Sequence, residues 1–446
     1  MANYLEWSHA WTNRLAGCNY VDCKGQLPGI IDKLKDQMNK GELPFLTMPY
    51  RARLEKELPP VLDKCKKFKH MLVLGIGGSA LGARAMQRAF APGQDGPNYQ
   101  GPWLWIADNV GAAQFEGLLG KLKPEETVVV AISKSGGTIE TLSQYFLVRA
   151  WLQKALGNAW TDQMILVTDA NKGFLREEAN AKNLASLEVP DFLGGRYSAL
   201  SAVGLLPAGF LGIDWRKLLD GAAEVAGHIV KNPDDLANTQ AWQLACWAKM
   251  LEDKQYDQLI FFCYIPQWAT YGPWFAQLWA ESLGKDGKGS MPIPATGVTD
   301  QHSVNQMFLD GPRNKGCIFL TGDQDDNGRA FGQDLPEKWA WLRGKAFGTL
   351  LDAEALGTRM ALCKSGVPLV NMHMGSLDEF GAGSMMMLLE AATILTGFLM
   401  GINPVDQPAV ELGKRLANSR LGASGYLEEA ADLAAFLSAP QDRKPF

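Results

Sequence analysis

The sequence predicts two doubly wound α/β/α sandwich domains with mainly parallel sheets, and helical arms at both ends of the chain. Three observations lead there. At 446 residues the chain is too long for one ordinary core and suits about two domains. From Lys69 onward, short and nearly continuous apolar runs alternate with helical stretches, as expected of parallel strands covered on both faces. The same alternation then restarts at Leu259, after a long helical stretch.

In chain order, residues 1–65 read as an N-terminal helical arm. Residues 66–215 hold the strand runs MLVLGIGG, LWIADN, TVVVAIS and MILVTD, and form the first α/β domain. Residues 216–256 read as a helical connector. Residues 257–415 carry LIFFCYI, GCIFLTG and VPLVNMHMG and form the second α/β domain. Residues 416–446, with GASGYLEEAADLAAFL, have the propensity of a C-terminal helical arm.

Composition excludes several function classes. Hydrophobic residues make up 47% and charged residues 20%, the balance of a compact chain, not a disordered one. The 43 basic and 48 acidic residues give a net charge of -5 without long runs of either sign, so nucleic acid is not an expected partner. MANYLEWSHAW lacks the basic flank and apolar run of a signal peptide. The apolar stretch from Ser384 to Ile402 contains Glu390 and Thr393 and reads as a buried helix, so no membrane partner is expected. Seven scattered cysteines and five histidines show no metal-ligand spacing. They predict a cytoplasmic protein with reduced thiols and no metal.

Two strand-to-helix turns stand out. Gly75-Ile76-Gly77-Gly78-Ser79-Ala80 follows MLVLG, and backbone N–H groups at a helix start can hold an anion. The turn partly matches a dinucleotide fingerprint, but the acidic candidate Asp108 lies beyond the usual offset; tight helix–sheet packing is the other reading. Ser133-Lys134-Ser135-Gly136-Gly137-Thr138 follows TVVVAIS, and its three hydroxyls and one lysine suit a phosphate monoester. The plain alternative is an N-cap cluster with Thr138 capping and Glu140 in the first turn.

These turns resemble those of the sugar isomerase (SIS) domain. Asp191-Phe192-Leu193-Gly194-Gly195-Arg196-Tyr197-Ser198 resembles a signature of the glucose-6-phosphate isomerase family. Three further segments are similar to that family, in its order: Glu281-Ser282-Leu283-Gly284-Lys285-Asp286-Gly287, Thr299-Asp300-Gln301-His302-Ser303, and the stretch from Asn403 to Lys414. The chain is short for the family, and it has Gly136-Gly137 where animal members carry bulkier residues and Pro408 where tryptophan is frequent. It thereby resembles the compact bacterial branch.

The resemblance implies reversible isomerisation of glucose 6-phosphate and fructose 6-phosphate through ring opening and a cis-enediol, without a cofactor. Glu281 would be the base, with Trp274, Phe275 and Trp279 as apolar cover that raises its pKa. Arg196 would stabilise the enediolate, His302 and Lys414 would serve ring opening, and Gln407 would bond substrate or Glu281. Gly77, Gly78, Ser79, Ser133, Lys134, Ser135 and Thr138 would bind the phosphate. A homodimer whose active site is shared between subunits, with the histidine crossing over, is also implied. Activity on mannose 6-phosphate, or a non-catalytic sugar-phosphate sensor, are the competing readings; a dehydrogenase fits the hydroxyl-rich second turn poorly. Asp323-Gln324-Asp325-Asp326-Asn327-Gly328, with Asp334, begins like a calcium-binding loop but follows a strand, so it is expected to be an acidic turn.

Overall fold

A computed structural model describes residues 2–50, 52–323, 328–440 and 442–444. Residues 324–327 of the acidic turn lie outside the described residues. Residues 1–404 pack as one compact unit, and residues 405–446 form a second, small one. The larger unit contains two five-stranded sheets. The smaller one is helical, with helices Glu411–Arg420 and Leu427–Ser438 packed on each other.

Strand β1 (Tyr4–His9) belongs to the second sheet. The first sheet consists of β2 (His70–Leu74), β3 (Trp103–Ala107), β4 (Thr127–Ser133), β5 (Met164–Asp169) and β6 (Ala185–Val189). All pairings are parallel and the spatial order is β3-β2-β4-β5-β6. Every residue of β4 and β5 is buried, because helices cover both faces of the central strands. The order reverses direction between β2 and β4. A crevice therefore opens beyond the carboxyl ends of these two strands, where doubly wound folds bind ligands.

The second sheet repeats this plan with β7 (Gln258–Cys263), β8 (Met291–Thr296), β9 (Lys315–Gly322) and β10 (Leu369–Met374), in the order β1-β10-β9-β7-β8. Strands β7 to β10 are mutually parallel where they pair, whereas β1 joins the β10 edge antiparallel, with Tyr4 opposite His373. The doubly wound class is the one expected. The N-terminal segment, expected to be helical, has helices such as Leu27–Asn39 and Leu54–Cys65 but begins with this strand. Strand β8 carries Pro292 and Pro294, which lack the N–H a central strand needs; as an edge strand pairing only with β7 it tolerates them.

The long apolar helix Glu379–Leu399 packs against helices Trp215–Val230, Gln240–Asp253 and Tyr271–Leu283. Its most apolar window is 94% buried, so the helix is a core element. Inside it Glu390 is fully buried, and neither carboxyl oxygen has a hydrogen-bond partner among the described residues. Burial pushes this carboxyl well above the usual range.

The folded protein thus holds a proton at Glu390 that the unfolded chain releases above about pH 4.3. Stability contributed by this site falls as pH rises from there toward the raised folded pKa. Glu390→Gln, which cannot ionise, is expected to flatten the decline in stability between pH 5 and 8. Urea unfolding of both proteins across that range measures it, and equal slopes would refute the assignment.

Candidate active site

Both glycine- and hydroxyl-bearing turns sit at the switch point of the first sheet. After β2, Gly77–Ser79 form a short 3-10 turn leading into helix Leu81–Phe90. After β4, the chain turns through Gly136, whose φ of +64° suits glycine, into helix Ile139–Leu156. The Ser133 and Thr138 hydroxyls lie 2.9 Å apart, and the Ser135 hydroxyl accepts the Gly137 N–H at 3.2 Å. Thr138 occupies the N-cap position, yet its hydroxyl makes no capping bond and turns to Ser133 instead. The first intrahelical bond runs from the Leu142 N–H to the Thr138 carbonyl, so the N–H groups of residues 139–141 make no bond within the helix. Hydroxyls, first-turn amides and Lys134 are thus collected at one strand end. Burial pushes the Lys134 amine below its ordinary range, while the carboxylates of Asp191 and Asp169 act in the opposite direction.

The first turn is locked to the segment carrying Arg196. A Cβ on Gly78 would fall 2.2 Å from the Gly195 carbonyl oxygen, so only glycine allows the two backbones to meet. The Ser198 hydroxyl bonds the Gly195 carbonyl at 2.7 Å and tightens the same bend. Arg196 follows directly and is only 3% exposed. Its Nη2 donates to the Pro404 carbonyl at 3.0 Å, its guanidinium stands 5.7 Å from the centre of the Tyr197 ring, and its Nη1 donates to Glu281 Oε2 at 3.0 Å.

Glu281 lies in the last turn of helix Tyr271–Leu283, with its side chain 30% exposed. The carboxylate is partly exposed, and the buried Arg196 holds one of its oxygens. Its second oxygen accepts from Gln277 Nε2 at 3.0 Å. Gln277 also borders the Gly77 turn, its amide nitrogen 2.8 Å from where a Gly77 Cβ would be. Ser282, the next residue, shares a 2.9 Å hydrogen bond with the Tyr197 hydroxyl. Two neighbouring pairs therefore tie Arg196-Tyr197 to Glu281-Ser282. Trp274, Phe275 and Trp279 are buried as expected, but the carboxylate's own hydrogen bonds are polar.

Gln277 did not stand out in the sequence. Its one available signal was its place four residues before Glu281 on one helix face. Asp108, by contrast, is engaged by Arg84 at 2.8 Å.

His302 ends a short helical turn after β8 and is exposed. Asp300 accepts from the Thr296 N–H and the Ser303 hydroxyl at 2.7 Å each, and Gln301 donates to Glu354 at 2.9 Å. These bonds pin the residues before it, while the His302 ring has no hydrogen-bond partner among the described residues. Gln407 and Lys414 belong to the small C-terminal unit, where both are exposed and Lys414 pairs with Glu411 at 2.7 Å. Within the large unit the structure brings Gly77, Gly78, Arg196 and Glu281 together, Gly78 through the Gly195-Arg196 backbone and Gly77 through Gln277, and groups Ser133, Ser135 and Thr138 at the adjoining strand end.

Comparison with known proteins adds an independent line. The family model described as phosphoglucose isomerase matches residues 62–337. A glucose-6-phosphate isomerase of Rubrobacter xylanophilus is 38% identical over 402 residues, covering 88% of this chain and 91% of its own. One from Carboxydothermus hydrogenoformans is 33% identical over 443 residues, 94% of each chain. Among solved structures, a hypothetical protein of Thermus thermophilus superposes with a TM-score of 0.83 at 30% identity, over 90% of this chain and 96% of that one. A glucose-6-phosphate isomerase of Chlamydia trachomatis shares the fold at a TM-score of 0.73 and 24% identity, over 86% and 76% of the two chains.

The backbone contact at Gly78 generates a test. Gly78→Ala forces the Gly195 carbonyl away and is expected to cost about 1–3 kcal/mol of stability, the range for overpacking a tight contact. Because Arg196 follows Gly195, turnover should also fall, in contrast to Gly117→Ala on an open helix surface. Paired thermal melts and activity assays of the two variants measure both effects.

Proposed function

We propose that this chain, which belongs to the phosphoglucose isomerase family and interconverts glucose 6-phosphate and fructose 6-phosphate, moves the proton between C2 and C1 on the carboxylate of Glu281. The observation that carries this reading is the pairing of Glu281 with the buried Arg196, at 3.0 Å, beside the Gly77–Ser79 turn.

The reaction needs a base that takes the C2 proton of the open-chain aldose and returns it to C1. It also needs positive charge at the oxygen that becomes negative in between. Glu281 serves the first need: its carboxylate is partly exposed and fixed in one orientation by Arg196 and Gln277. Arg196 serves the second, since a guanidinium remains charged when buried and presents donors in a fixed plane. In this role Gln277 is a positioning residue, holding Glu281 in register with the Gly77 turn.

The phosphate is assigned to the switch-point turns, through Ser79, Ser133, Ser135 and Thr138, the amides of Gly77 and Gly78, and the Lys134 amine. Binding there holds the far end of the substrate, so that C1 and C2 are presented to the carboxylate. On their motif resemblance, His302 and Lys414 are assigned to opening the sugar ring and Gln407 to a substrate hydrogen bond. The chemistry uses side chains alone and requires no cofactor. A cytoplasmic homodimer in which His302 serves the neighbouring subunit's site completes the proposal, and the exposed ring of His302, without a hydrogen-bond partner among the described residues, accords with it.

Glu281→Gln is expected to lower fructose 6-phosphate turnover by about three orders of magnitude while leaving KM within a few-fold. Near-normal turnover would refute the assignment. With the native enzyme in deuterated water, label should enter C2 of glucose 6-phosphate during turnover; its complete absence would point to hydride transfer.

The shared site has its own test. If His302 crosses between subunits, mixing and reannealing inactive Glu281→Gln and His302→Ala chains should restore about a quarter of native activity, because half the dimers are mixed and each has one intact site. No recovery, with subunit exchange verified, would place His302 with its own chain's Glu281.

A further inference from the structure

Glu281 shares its motif with Lys285, a half-buried lysine just beyond the end of helix Tyr271–Leu283. The Lys285 Nζ donates to the Ser282 carbonyl at 3.0 Å and to the Asn403 carbonyl at 2.6 Å. The first of these carbonyls belongs to the last helical turn, where backbone acceptors lack intrahelical partners and a cation is favoured. The second belongs to the segment that leaves helix Glu379–Leu399.

That segment folds back on its own helix. Gly401 has a φ of +71°, a left-handed conformation common where helices end, and the Ile402 N–H returns to the Gly397 carbonyl at 3.0 Å. Pro404 then packs against the helix at Gly397, where an added Cβ would fall 2.6 Å from the proline Cβ. Three cations grip carbonyls of this short return: Lys288 holds that of Met400 at 2.8 Å, Lys285 that of Asn403, and Arg196 that of Pro404 at 3.0 Å. The Asn403 and Pro404 carbonyls stand on adjacent peptide groups. A closed ring of contacts therefore runs from Glu281 through Arg196, Pro404, Asn403 and Lys285 to Ser282, the residue beside Glu281.

We propose that Lys285 is a positioning residue for the isomerisation, acting through the Asn403-Pro404 backbone to hold the Arg196 guanidinium against Glu281. This rests on Glu281 as the base and Arg196 as the charge beside the enediolate. A guanidinium presents its donors in one plane, so the place where the Pro404 carbonyl holds Nη2 governs how Nη1 meets the carboxylate. Without Lys285 the Asn403-Pro404 peptide loses a tether to the Glu281 helix, and the guanidinium plane can tilt. A misplacement of about 1 Å caused by a change outside the chemistry can cost about a hundredfold in rate. The phosphate end of the substrate, assigned to the switch-point turns, is not touched by this ring, so binding should change little.

Steady-state kinetics and thermal melts of Lys285→Met, Lys285→Arg and Lys288→Met test this. Lys285→Met is expected to lower kcat about tenfold with KM for fructose 6-phosphate within about twofold, and Lys285→Arg to recover most of the loss. Where Lys285→Met does not fold, Lys285→Gln, which keeps a polar side chain, carries the same expectation. Lys288→Met releases the Met400 carbonyl only and should keep native kcat, whatever its Tm. In an Arg196→Lys background Lys285→Met should cost no more than about a further twofold, because both residues act through one guanidinium. Native kcat in Lys285→Met, an equal loss in Lys288→Met, or the full tenfold loss in the Arg196→Lys background would overturn the proposal. Native kcat in Lys285→Met beside an inactive Glu281→Gln overturns this proposal alone, whereas near-normal turnover by Glu281→Gln overturns the reading beneath it as well.

Discussion

Gly78 and Gly195 meet backbone to backbone, and the placement of the site's charged pair depends on that contact. A side chain at Gly78 would collide with the Gly195 carbonyl at 2.2 Å, so the first phosphate turn and the arginine-bearing bend can share one position in space only without it. Arg196 begins where this contact ends. From there its guanidinium reaches helix Tyr271–Leu283, which follows β7 of the second sheet. One close approach in the first sheet's territory thus fixes the reach of a cation toward a carboxylate carried by the second.

Burying a guanidinium is costly unless its donors are met. Here the Pro404 carbonyl and the Glu281 carboxylate each accept one of its N–H groups, the Tyr197 ring lies beside it, and Tyr197 in turn bonds Ser282. The result is a rigid square of neighbours, 196-197 against 281-282, whose outward corner is the Glu281 carboxylate. Rigidity of this kind lowers the reorganisation needed when negative charge moves from the base onto the substrate.

How much of this was legible beforehand follows from what each feature depends on. The central strands were readable because burial on both faces leaves nearly uninterrupted apolar runs such as TVVVAIS and LIFFCYI. Three edge strands were not: β1 is largely exposed, β6 is short and mixed, and β8 has two prolines, so none carries that signal. At the site, the hydroxyl cluster was visible as a strand-to-helix turn. That Thr138 would turn to Ser133 instead of capping its helix was not, since both bonds are compatible with the same residues. Gln277 was invisible for a different reason. Its importance arises from touching Gly77, a residue two hundred positions away, and no local pattern encodes that meeting. The aromatic residues near Glu281 suggested an apolar setting, but spacing along a helix does not specify which way the carboxylate turns.

Strand β1 imposes a timetable on synthesis. The first sheet has all its strands once residue 189 is made, but Tyr4–His9 can pair only with β10, which ends at Met374. At translation rates of about 5–20 residues per second, Tyr4–His9 is made on the order of half a minute before its partner is complete. During that interval a strand-forming stretch is unpaired, and the glutamate at position 6 within it works against association with other nascent chains. Once β10 arrives, Tyr4 stacks on His373 and Glu6 pairs with Arg359, so β1 becomes a seal on the last-formed sheet.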